Sequence, residues 1–184
     1  MIKTMHVRNV VCAAAIILLA FQSALAQAKL SSEKLDKDVV NASLQGLDGK
    51  LFKLADYNGK VLVLVLWATW SAPCHSAMTD VNKLNKRYAK RNVQIVGLDI
   101  EEREEEGNDA RAFAATLKLK FKLGWAKEEI AAKLLKPTGA VPQLFVLTPS
   151  GQVATHFIGY NPNETYRRLS TAIDQALSFN SESH

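Results

Sequence analysis

Apolar positions along the chain form continuous runs and helically spaced sets in alternation. Val61 to Trp67 (VLVLVLW) is apolar at every position, the pattern of a central strand covered on both faces. Behind it, Val81, Leu84 and Tyr88 recur at helical spacing through about Arg91, and Ser71 is a favourable residue to cap that helix. Val93 to Ile100 (VQIVGLDI) is the next strand, so strand, helix and strand follow in order and imply a right-handed parallel crossover.

Either side of this unit the runs are shorter. Val39 to Leu44 and Leu51 to Leu54 read as two short strands joined through the turn pair Asp48-Gly49. Ala110 to Leu117 and Lys127 to Leu135 have helical spacing. Gln143 to Thr148 and Val153 to Ile158 form strands around Pro149-Ser150-Gly151. The last helix is expected to start at Asn161-Pro162-Asn163-Glu164, with Asn161 as cap and Pro162 in the first turn, and to run to about Phe179. The order predicts an α/β sandwich with helices on both faces of a mixed sheet.

The first 26 residues stand apart. Lys3, His6 and Arg8 head an apolar run from Val10 to Phe21, and Ala24-Leu25-Ala26 closes it, the pattern of a cleaved secretory signal peptide. The run falls short of the roughly 20 residues that span a bilayer. The expectation is export to the periplasm or another extracytoplasmic space, with no membrane association after cleavage. Residues 27–38 read as a flexible lead-in, 39–179 as the domain and 180–184 as a tail.

Cleavage changes the charge and the sulfur chemistry. Without Lys3 and Arg8 the mature chain keeps 21 of the 23 basic residues against 18 acidic ones, a net charge of +3. That is too mild to argue for nucleic acid. Lys83, Lys86, Arg87, Lys90 and Arg91 read as a solvated helix face. Of two cysteines, Cys12 leaves with the signal and Cys74 remains alone, unable to form an internal disulfide.

Cys74 ends the stretch WATWSAPC, which follows the Val-rich strand, and Val141-Pro142 precedes a later one. With LDGKLFKLADYNGKVLVLVLWATW, LDIEE, GAVPQLFVL and PSGQV, these segments resemble the thioredoxin fold, and more closely the exported thiol–disulfide oxidoreductases of the TlpA/ResA type, over roughly Val40 to Phe179. The resemblance implies a central mixed sheet flanked by helices and preceded by an extra β-hairpin. It implies no cofactor and no metal, a monomer, and an extended peptide or a partner protein's thiol or disulfide as ligand.

In that family the motif reads W-C-x-P-C. The first sulfur, at the helix start where N–H groups stabilise a thiolate, attacks a disulfide, and the second resolves the mixed disulfide. By that correspondence Ser71 stands in the attacking slot and Cys74 in the resolving slot. A serine hydroxyl cannot form a disulfide, so a dithiol cycle within this chain is excluded, while serine can still cap the helix at about 0.5–2 kcal/mol over alanine. The resemblance further implies a cis bond at Pro142, backbone pairing of substrate at Val141, substrate contacts from Trp70 and Pro73, and a candidate proton relay at Glu102. The positions where the family often has a polar helper, an acid and a proline hold Val65, Ala77 and Thr79.

Other chemistry is weighed against this reading. A single-cysteine peroxidase would use Cys74 with Ser71 three residues before it, although Trp67 stands where such enzymes carry proline. A monothiol reductase, or a cysteine-to-serine variant of an active oxidoreductase, are further alternatives. His75 and His156 do not form a tight ligand cluster with Cys74, and Trp67 serves equally as core.

Overall fold

The computed structural model describes residues 33–100, 108–135 and 138–179. The signal sequence, Cys12, most of the lead-in, Glu102 and the tail lie outside the described residues.

Among the described residues seven strands form one mixed sheet in the order β2-β1-β5-β4-β3-β6-β7. At its centre β3 (Val61–Trp67), buried at every residue, pairs parallel with β4 (Val93–Asp99) and antiparallel with β6 (Gln143–Leu147). A run with no polar alternation has no solvent face to offer, so it belongs between two layers of helix. The crossover from β3 to β4 is α2 (Ala72–Tyr88), whose Cys74, Met78, Val81, Leu84 and Tyr88 are buried. With α3 (Asn108–Thr116) and α5 (Thr165–Ser178), α2 covers one face. On the other face α1 (Lys37–Asn41) and α4 (Glu128–Leu134) pack together, tied by Lys133 to Asp36 and Asp38.

The N-terminal hairpin is shorter than expected. Val39 belongs to α1, not to a strand: Asp36 Oδ1 accepts from the Asp38 N–H at 2.8 Å, capping one helical turn that buries Val39. The strands are β1 (Leu44–Gly46) and β2 (Leu51–Phe52), and Leu54 opens a 3-10 turn through Tyr57. Lys34 pairs with Gln152 ahead of β7 (Val153–Ile158).

The sequence pattern also missed a strand. β5 (Lys122–Trp125) lies parallel to β4 and antiparallel to β1, joining the hairpin to the sheet. Four residues with a lysine and a glycine carry no period of their own. Tertiary contact decides it: a Cβ on Gly124 would meet the Gln45 carbonyl oxygen at 2.5 Å and the Phe52 ring at 2.8 Å. The final helix starts at Thr165, one turn later than expected. Asn161 instead closes a turn, its carbonyl accepting from Thr165 N–H and its N–H donating to Thr165 Oγ1, each at 2.9 Å. Among the described residues no helix is long and apolar enough to cross a membrane.

Candidate functional site

β3 delivers the chain to the site. Trp67 is wholly buried, stacked on Phe113 of α3 at 4.7 Å between ring centroids, and so is core. Four residues on, Ser71 takes the extended backbone of a helix cap and its carbonyl accepts from the Cys74 N–H at 2.9 Å. Its hydroxyl does not cap the helix as expected. Instead Ser71 Oγ, 4% exposed, donates to the Val141 carbonyl oxygen at 3.4 Å. The helix start is set by Pro73, whose fixed φ suits the first turn and whose missing N–H is not needed there.

Cys74 is fully buried on the sheet-facing side of α2. Burial pushes its thiol up from the ordinary range; the Ser71 hydroxyl and the Ala68 backbone pull it back, and the carboxyl of Asp99 adds to the rise. Val65 and Ala77, which the resemblance pairs with a polar helper and an acid, are both fully buried. Asp99, at the end of β4 and in register with Trp67, is fully buried.

The second wall comes from the start of β6. The Val141–Pro142 peptide is cis, and both residues are buried. Gln143 anchors this loop: its Nε2 donates to the carbonyls of Ala140 at 2.9 Å and Leu135 at 3.3 Å, while its Oε1 lies 2.8 Å from His156 Nε2. The His156 ring stacks on Phe145 at 3.9 Å, and this burial pushes its pKa down while Glu33 pulls the other way.

Ser71, Cys74, Val141 and Pro142 thus converge, with Pro73 exposed beside them and Trp70 64% exposed at the rim. His75 is exposed, its Nε2 3.3 Å from the Thr69 carbonyl and its ring against Phe113. His156 belongs with Gln143 and Phe145. Helix α2 ends at Tyr88, short of the expected Arg91; on it Lys83 pairs with Asp80, and in the turn beyond it Arg91 pairs with Asp174, both at 2.8 Å. Among the described residues no group of three His, Cys, Asp or Glu could hold a metal.

Sequence reasoning did not single out Asp99, Gln143 and Phe113. Asp99 left a trace, as the one acid inside the otherwise apolar GLDI strand end; Gln143 and Phe113 are ordinary until their partners are known.

The AhpC/TSA family model matches residues 35–156. The chain belongs to that family. Within it the chain is a TlpA/ResA-like redoxin of thioredoxin fold. It is similar to the thiol-disulfide oxidoreductase ResA of Bacillus cereus, 29% identical over 133 residues covering 71% of this chain and 73% of the relative. The thioredoxin-like protein YneN of Bacillus subtilis is 32% identical over 117 residues, 64% of this chain and 67% of that protein. Among solved structures, a thiol:disulfide interchange protein DsbE from Chlorobium tepidum aligns with TM-score 0.67 at 26% identity, over 80% of this redoxin and 99% of that chain.

Proposed function

We propose that this redoxin is exported and binds an extended peptide, or a partner protein's thiol or disulfide, against Val141, Pro142, Trp70, Pro73 and Cys74, without running a dithiol cycle inside one chain. The observation that carries this reading is Ser71. It fills the slot of the attacking sulfur, and its hydroxyl is turned to the Val141 carbonyl. The remaining sulfur is buried and held as a thiol, the poorly nucleophilic form.

What survives suits recognition. A substrate strand would add beside the residue before Pro142, and exposed Trp70 supplies an apolar platform. Export is supported by the signal pattern of residues 1–26. The raised Cys74 thiol weighs against the peroxidase, which needs a ready thiolate.

The test joins insulin reduction to peptide binding on the mature chain. The expected result is negligible turnover, with peptide affinity lowered several-fold by Trp70→Ala. Robust reduction that disappears in Cys74→Ala would overturn the reading.

A further inference from the structure

Helix and strand geometry place a buried acid under the buried thiol. A Cβ built on Gly97 would lie 3.2 Å from Trp67 Nε1 and 3.3 Å from Met78 Cε, so Gly97 faces α2. Strand side chains alternate, which puts Asp99 on the same face two residues further along β4. On α2, Cys74 lies one turn before Met78 and on the same side. Helix α2 returns antiparallel to β4, so stepping from Met78 back to Cys74 covers about 6 Å along the axis. Stepping from Gly97 to Asp99 covers about 6.6 Å in the same direction. The thiol therefore comes to rest over the carboxyl, with Trp67 on β3 and Trp125 on β5 as the flanking rungs. Both residues are fully buried.

We propose that Asp99 is a positioning residue for Cys74, a buried acid beneath the sulfur that adds to the burial favouring its protonated form. The acid sits one strand over from Val65. In a water-poor layer, a carboxylate beside a thiol makes the thiolate the costlier state. Among the described residues, the titratable and charged groups bordering this layer are His75 on α2, Asp99 on β4 and Arg111 on α3, whose guanidinium lies 5.1 Å over the Trp125 ring. The inference deepens the proposed function and rests on it only for the identity of the thiol.

The experiment is the pH profile of Cys74 alkylation by iodoacetamide in the folded protein, compared with Asp99→Asn and Asp99→Glu. Asp99→Asn should move the midpoint to lower pH and raise alkylation at neutral pH about two- to threefold, a fraction of one pKa step because burial remains. Asp99→Glu should retain the high midpoint. A loosened core would raise the rate at every pH and leave the midpoint in place. An unmoved or higher midpoint in Asp99→Asn overturns the proposal, whatever insulin reduction or peptide binding gives. If Asp99→Asn does not fold, the Cys74 Cβ resonance of the unaltered protein decides. A midpoint above 9.0 with a step shared with the Asp99 carboxyl carbon supports the assignment, and lack of either overturns it.

Discussion

Ser71 Oγ reaches the Val141 carbonyl oxygen across 70 positions of sequence, joining the start of α2 to the residue before Pro142. One weak hydrogen bond thus links the two walls of the site. The Ser71 hydroxyl is here used for a tertiary contact.

Ser71→Cys should therefore restore a redox couple. The introduced sulfur and that of Cys74 would stand three residues apart at a helix start, the spacing at which a thiolate and its resolving partner cooperate. The expected outcome is insulin reduction appearing in the variant and absent in the parent. If the variant stays inactive, the apolar Val65 and Ala77 environment is itself disabling. Losing the hydroxyl bond should cost about 0.5–1.5 kcal/mol in urea unfolding.

The raised thiol also sets a pH dependence of stability. Below the ordinary value of 9.0 both folded and unfolded chains hold the Cys74 proton. Above it the unfolded chain releases the proton first, so stability is lost as pH rises through the folded value. The unfolding free energy of the parent should fall more steeply with pH above 9.0 than that of Cys74→Ala. The comparison isolates Cys74 because Tyr57, Tyr88 and Tyr160 are also raised, Tyr160 to about 12, and remain in both proteins.

Gln143→Ala removes the donor that holds the Leu135 and Ala140 carbonyls and leaves His156 without its amide partner. Unpaired polar groups at a buried site cost about 1–3 kcal/mol. Chemical denaturation should show that loss. Peptide affinity should fall as well, because the same amide anchors the loop carrying Val141 and Pro142.

Gly97→Ala tests the packing beneath the site. Its new methyl would meet Leu123 Cδ2 at 2.7 Å, with Trp67 and Met78 just beyond. Overpacking of this kind costs about 1–3 kcal/mol, readable as a lowered denaturation midpoint with unchanged slope.

Sequence alone determined the parts that depend on neighbours along the chain. VLVLVLW specified a central strand, and the helical spacing of Val81, Leu84 and Tyr88 specified α2. Tertiary structure decided whatever depends on a partner far away in the chain. Lys122–Trp125 is a strand because β4 and β1 offer it two rows of backbone partners. Val39 is helical because Asp36 caps it and α4 covers it. Ser71 turns to Val141, and Asp99 lies under Cys74, because β3, β4 and β6 are brought side by side. Periodicity reports which face a residue shows; register between distant strands decides what that face meets.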